Sequence, residues 1–275
     1  MSRRAGRVVY DGLGVFIFLV MIFPIYWMVS TAFKPGRDIL SLNPVWIPTS
    51  ITLDNFQTAI NVPFFWNDVV NSLVVVLTVV VISVLLAFLA AVSVARFGFR
   101  GRAAFIVMVI GVQMVPLNAL VIPIYLLLDQ VGQVDSLLGV IAYYLAVVLP
   151  FMIWTLHGFI ANIPVDLKES AMVDGATRVG AFMRIVFPLV APGLVATAIY
   201  GFIQAWNEYI IAYVLLSSSS KQTLTIWLAS FTTQHGTDWG GLMAGATLTA
   251  LPVVAFFLIV QRQVQGGLTA GAVKG

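Results

Sequence analysis

The chain has 275 residues, of which 60% are hydrophobic and 9% charged, and its mean hydropathy of +1.01 marks an integral membrane protein, because a soluble fold of this size could not hide so much apolar surface. With no cysteine, a disulfide frame and a thiolate metal site are excluded, and thiol usage gives no reading of redox compartment. The net charge of +3 is small, and the basic residues form no continuous face, which excludes nucleic acid as a partner.

A spanning helix needs about 20 apolar residues to cross roughly 30 Å of hydrocarbon. Six runs of that length are predicted as transmembrane helices: 12–33, 69–95, 103–128, 136–163, 188–216 and 240–260, the fifth interrupted only by Glu208. The runs are too long for barrel strands and lack dyad alternation, so the predicted class is all-α. The first run follows Arg3, Arg4 and Arg7 as a secretory signal would. It is too long and lacks a small-residue cleavage site, and is read as a retained helix.

Lysine and arginine accumulate on cytoplasmic segments. With the N-terminus inside, Arg3, Arg4, Arg7, Arg96, Arg100, Arg102, Lys168, Arg178, Arg184, Arg262 and Lys274 are cytoplasmic, leaving Lys34, Arg37 and Lys221 outside. Both termini are therefore predicted in the cytoplasm. The outer side receives loops at 34–68 and 217–239, the second with a short helix predicted at 223–231.

Between the fourth and fifth runs, residues 164–187 form a polar island holding Lys168, Glu169, Asp174, Arg178 and Arg184. Asp166 is placed to cap a helix whose third residue is Glu169. Gly175 ends that helix in the left-handed conformation, and a second helical run from Thr177 to Phe187 leads to Pro188 at the membrane. Leu167, Ala171 and Met172 give the first helix a small apolar face. Pattern alone leaves two readings of it, docking into a groove on another protein or lying at the lipid headgroups.

The spelling of the island, with Glu169, Ala171, Asp174, Gly175, Ala176, Phe182, Ile185, Pro188 and Pro192, resembles the EAA motif of ABC importer permeases. Ser170 stands for the usual first alanine and Phe187 for the usual leucine. The tail from Gln261 to Gly275 resembles that of the carbohydrate uptake subfamily, the maltose-type second permease, and the likeness covers nearly the whole chain. It implies a single permease domain over 1–275, in a cell-membrane subunit that pairs with a second homologous permease and an extracytoplasmic sugar-binding protein. Energy would come from two ATPase subunits, which bind ATP and Mg; no cofactor, metal or catalytic residue belongs to this chain. Glu169 would contact the ATPase, Gly175 would permit the bend, and Ala171, Asp174, Ala176, Ile185 and Pro188 complete the coupling element. The loop 217–239 matches in position the external loop that reaches toward the binding protein. The stretch QAWNEYIIAYVLL, residues 204–216, resembles permeases for chitobiose or other glucosides.

Independently of that likeness, no lysine follows a G-x-x-x-x-G-K-[ST] pattern, so the power source is another chain. The alternative is a secondary carrier driven by an ion gradient, which relies on ionisable residues in its spans. Glu208 is the one carboxylate in the predicted runs. It lines the translocation path with Gln204 and Asn207, or else pairs at the outer interface. Gln113 and Asn118 in the third run are further path candidates, although a neighbouring helix would satisfy their amides equally. A haem subunit needs two axial ligands on one iron, and the predicted topology puts His157 and His235 on opposite sides. Trp46, Trp66, Trp227 and Trp239 are read as interface anchors.

Overall fold

In the computed structural model of the chain, the backbone is described for residues 3–272 and side chains for 10–116 and 119–261. The fold is helical apart from one small hairpin. In chain order come α1 (Arg3–Ala32), α2 (Gly36–Ile39), α3 (Asp54–Asn61), α4 (Phe65–Arg96) and α5 (Arg102–Val112), then a 3-10 turn (Leu117–Leu120), α6 (Val121–Gln130) and α7 (Leu137–Ala161). Next are α8 (Val165–Val173), α9 (Arg178–Ala181), a π-helical turn (Phe182–Val186), α10 (Phe187–Asn207), α11 (Ile210–Leu215) and α12 (Leu224–Ala229). Strands β1 (Thr232–Thr233) and β2 (Gly236–Thr237) pair antiparallel, Thr232 opposite Thr237, before α13 (Trp239–Ala272).

Among the described residues, five helical stretches are long and apolar enough to cross a membrane: Tyr10–Ala32, Phe65–Arg96, Leu137–Ala161, Arg178–Asn207 and Trp239–Gln261. The predicted third run is not one rod. It breaks between Val112 and Leu117, where Pro116 lacks an N–H, takes an extended ψ of 92°, and pushes the residue before it out of the helical region. The predicted fifth run also breaks, at Glu208 and Tyr209. Pro24, Pro150 and Pro252 by contrast lie inside unbroken helices. The remaining boundaries move by a few residues, α1 and α13 running beyond the predicted 12–33 and 240–260.

The chain divides into two compact units, one holding α1–α3 with Trp227–Pro252 and the other Asn67–Ile226 with the chain from Val253. In the first, Asn55 closes the end of α1 by donating from Nδ2 to the carbonyls of Ala32 (2.9 Å) and Lys34 (2.8 Å), two acceptors that the helix end leaves open. The Tyr26 hydroxyl donates to the Trp46 carbonyl at 2.7 Å, and Trp27, Trp46 and Phe23 form an aromatic cluster. Trp46, Trp66 and Trp239 are exposed, as interface anchors would be, but Trp227 is 2% exposed and packs against Phe65 and Phe231. Gly245 makes room for it: a Cβ there would come within 2.9 Å of the indole.

In the second unit, α7 and α10 approach closely because α10 presents small residues four apart. A Cβ on Gly193 would meet the Phe159 ring at 2.7 Å, Thr197 folds its hydroxyl back onto the Gly193 and Leu194 carbonyls, and Gly201 faces Met152 and Ser83. Small residues at such spacing are the usual way for membrane helices to gain dispersion contact. Phe202 stacks on Phe256 with centroids 4.1 Å apart. At the far end of α7, Arg96 donates from one guanidinium nitrogen to the Ile160 and Ile163 carbonyls, both at 2.9 Å, satisfying helix-terminal acceptors with a cation where the helix dipole is negative.

Candidate functional site

The polar island is built as two helices and a glycine turn. Pro164, not Asp166, occupies the N-cap of α8 and makes no side-chain cap; proline's fixed φ suits the entry, so α8 starts at Val165 with Asp166 in its first turn. The stop is as expected. Gly175 has φ +91°; its N–H bonds to the Met172 carbonyl (3.2 Å), and the Ala176 N–H bonds to Ala171 (3.0 Å), the paired closure of a Schellman turn. A Cβ at Gly175 would touch nothing within 4 Å, so the position demands a torsion angle rather than space. Thr177 then caps α9 by accepting from the Gly180 N–H at 3.1 Å, and α9 runs through the π-turn into α10 without a break.

Glu169, Asp174, Gly175 and Pro188 are exposed, while Ala171, Ala176 and Ile185 are half-buried. Among the described residues Glu169 makes no ion pair. Of the expected apolar face only Leu167 is exposed; Ala171 and Met172 turn partly inward. The surface instead offers Val165, Val173 and Val179, the last two 87% and 73% exposed. Phe182 and Phe187 anchor the second helix on Phe88 of α4, with centroids about 6 Å away.

A second constellation forms at the break between α10 and α11. Glu208 leaves the helix with ψ 130°, and its carboxylate turns back over the first turn of α11. Oε1 accepts from the Ile211 N–H at 2.8 Å, and Oε2 accepts from the Ala212 N–H at 3.1 Å and the Tyr144 hydroxyl at 2.8 Å. Two orphan donors of a new helix are thus met by one anion at its positive end. The Glu208 carbonyl, freed by the break, accepts from Thr225 Oγ1 at 2.9 Å. A cavity of about 310 Å³ opens beside it, lined by Tyr143, Tyr144, Gln204 and Glu208 with Val115 and Pro116 from the break in the third run.

Two of the five predicted path residues, Gln204 and Glu208, therefore share one cavity. Gln204 also donates to the Tyr200 hydroxyl at 3.1 Å. Asn207 is exposed, bonds back to the Ile203 carbonyl and does not line the cavity. Gln113 is exposed at the start of the break that supplies Val115 and Pro116, and the side chain of Asn118 lies outside the described residues. Sequence reasoning missed Tyr143 and Tyr144, for which the only signal was a pair of adjacent phenols in an apolar run.

A clasp holds the neighbouring loops. Asp135, at φ +52°, accepts from the N–H groups of Ser217 (3.0 Å) and Ser218 (2.9 Å), from the Ser218 hydroxyl, and from Lys221 Nζ at 2.9 Å. Those bonds, from Ser218 first and then Lys221, hold its carboxyl well below the ordinary range. Asn71 donates to the carbonyls of Ser220 and Gln222 from the other side.

The profile of the family described as "Binding-protein-dependent transport system inner membrane component" matches residues 83–269. The diacetylchitobiose uptake system permease protein DasC of Streptomyces coelicolor is 46% identical over 270 residues, 98% of each chain. The trehalose transport system permease protein SugB of Mycobacterium tuberculosis is 36% identical over 254 residues, 92% of each. Among solved structures, a chain of a bacterial ABC transporter involved in alginate import superposes with a TM-score of 0.79 at 22% identity, covering 95% of this chain and 98% of that one, a likeness of fold.

Proposed function

We propose, from the premise that this chain belongs to the inner-membrane components of binding-protein-dependent transport systems, that it is the permease subunit of an ATP-driven sugar importer. It crosses the cell membrane six times, with α5 to α6 as one interrupted crossing and α9 to α11 as another, and the bias of basic residues puts both termini in the cytoplasm. It forms the translocation path with a second permease and receives sugar from an extracytoplasmic binding protein. Two ATPase subunits bind ATP and Mg and supply the motion; this chain carries no ATPase site of its own. The 46% identity to a diacetylchitobiose permease supports a disaccharide of that kind as cargo.

One observation carries the reading: an exposed helix, a left-handed glycine turn, and a second helix that continues unbroken into a membrane span. Such an element converts a push on α8 into a movement of α10. Glu169 makes the charged contact with the ATPase and Gly175 the bend, with Ala171, Asp174, Ala176, Ile185 and Pro188 setting the shape between them. Gln204 and Glu208, with Tyr143 and Tyr144, face the path, and Gln113, Asn118 and Asn207 are further polar positions along it. The gradient-driven carrier is not retained, because the family's transport depends on a binding protein and the Glu208 carboxylate is occupied by three donors.

The test is Glu169→Lys in the assembled transporter. Co-purified ATPase is expected to fall at least ten-fold, with uptake of labelled diacetylchitobiose lost and the permease still in the membrane. Full retention of the ATPase with normal uptake would sink the coupling role.

A further inference from the structure

The first unit holds a cavity of about 290 Å³ that plays no part in coupling or in the path, lined by Trp27, Thr31, Lys34, Asp38, Ser41 and Trp239 among others. It lies at the end of the span Tyr10–Ala32 and at the start of Trp239–Gln261. Its polar groups are unusually under-used. Lys34 is 2% exposed, and among the described residues its ammonium makes no hydrogen bond or ion pair; it stands over the Trp27 ring, 3.9 Å from the centroid. Burial pushes its pKa down, opposed by the charge of Asp38. Thr31 is 7% exposed, and its Oγ1 is buried with no partner.

The nearby carboxylate does not fill the gap. Asp38 is engaged by the Thr49 N–H at 2.8 Å and the Thr49 hydroxyl at 2.9 and 3.0 Å, with Arg37 at 3.8 Å. An ammonium that faces the cavity on an otherwise buried side chain with no anion, and a buried hydroxyl with no acceptor, cost free energy that a ligand made of acceptors would recover. A sugar, whose hydroxyls also need acceptors, fits this lining less well, since the one strong acceptor is already taken. Two indoles flank the cavity, and the adjoining length of α1 from Tyr10 to Tyr26 is exposed, which is where lipid acyl chains run and where tryptophan marks headgroup depth.

We propose that this cavity binds the phosphate of a membrane phospholipid, with Lys34 as counter-ion and the Thr31 hydroxyl as donor, between the indoles of Trp27 and Trp239. The lipid's acyl chains lie along the bare face of α1. The bound headgroup supplies the anion that the fold leaves out.

Native mass spectrometry of the assembled transporter, extracted in mild detergent from membranes of known phospholipid content, tests it. One phospholipid per permease is expected on the wild type and on Lys34→Arg, with occupancy down at least ten-fold in Lys34→Met. Thr31→Val keeps the cation and nearly the volume, and should lower occupancy three-fold or more, which preserves the test if Lys34→Met does not assemble. Equal lipid retention in wild type, Lys34→Met and Thr31→Val would overturn the proposal. So would displacement of the lipid by millimolar inorganic phosphate, which would mark a free-anion site, or by diacetylchitobiose, which would mark a saccharide site.

Discussion

Two helix breaks in the same unit solve one problem in different ways. At Gly175 the chain is exposed, and the turn is closed by backbone alone, through the Met172 and Ala171 carbonyls. At Glu208 the chain lies within an apolar run, and the break is closed by a carboxylate that serves two backbone donors and a phenol. Where water reaches, a break needs only a residue free to adopt positive φ, because solvent satisfies whatever the turn does not. Where water is scarce, each freed N–H and C=O must find an internal partner, and one charged side chain that meets several is the compact answer.

The largest test removes that side chain. Glu208→Ala strands the Ile211 and Ala212 N–H groups and the Tyr144 hydroxyl, and should cost about 3 kcal/mol, seen as a clear drop in the melting temperature of the detergent-solubilised transporter; an unchanged melt would void the cap. Gly175→Val forces a β-branched residue to φ +91°, roughly 2 kcal/mol of local strain. Since this turn is exposed and a Cβ there touches nothing, it reshapes to relieve that strain, so the loss should appear as a fall of ten-fold or more in uptake with little change in the melt, and Gly175→Asn, which tolerates the left-handed region, should retain most uptake. Equal uptake in the valine and asparagine variants would break the torsional account. Tyr144→Phe deletes one of the three donors to Glu208 and should lower stability by about 1.5 kcal/mol while leaving uptake independent of the proton gradient.

The smallest expected effect is the pH response of the clasp. The folded state holds the Asp135 carboxyl below its unfolded value, so its contribution is complete at neutral pH and is lost only as pH falls below about 4. Melting temperatures of wild type and Asp135→Asn, compared from pH 7 down to 3, should begin to draw together below about pH 4, with the loss completing only at lower pH. Curves that stay parallel would show that the clasp adds no charge-dependent stability.

Much of the fold was legible because hydropathy reports directly which segments water rejects, and because a glycine between a short polar helix and a proline-led span has few other uses. The two interruptions were not legible for the same reason. Composition over 103–128 and 188–216 says that the chain is buried in something apolar, and it carries no information on whether each carbonyl meets the N–H four residues on. Pro116 hinted at the first break, but Pro24, Pro150 and Pro252 carry the same signal inside unbroken helices. Glu208 was noticed as a polar lining residue; its capping of Ile211 and Ala212 follows only once the helix breaks there, and its contact with Tyr144, 64 positions away, has no local signal. Asp166 was assigned a cap that Pro164 pre-empts by position, and Trp227 was read as an anchor because indole at a loop's edge looks the same whether it faces headgroups or Phe65 and Phe231.

Arg96 decides where the machine is stiff. By gripping the carbonyls of Ile160 and Ile163, it ties the C-terminal end of α7 to the end of α4 just before α8 begins, a firm footing for the coupling element proposed above. Beyond that footing, the glycine turn at Gly175, with φ +91°, is where α8 and α9 change direction. If α8 is the input arm of the proposed coupling element, its nine residues set the lever length, which can change without rewriting a single membrane span.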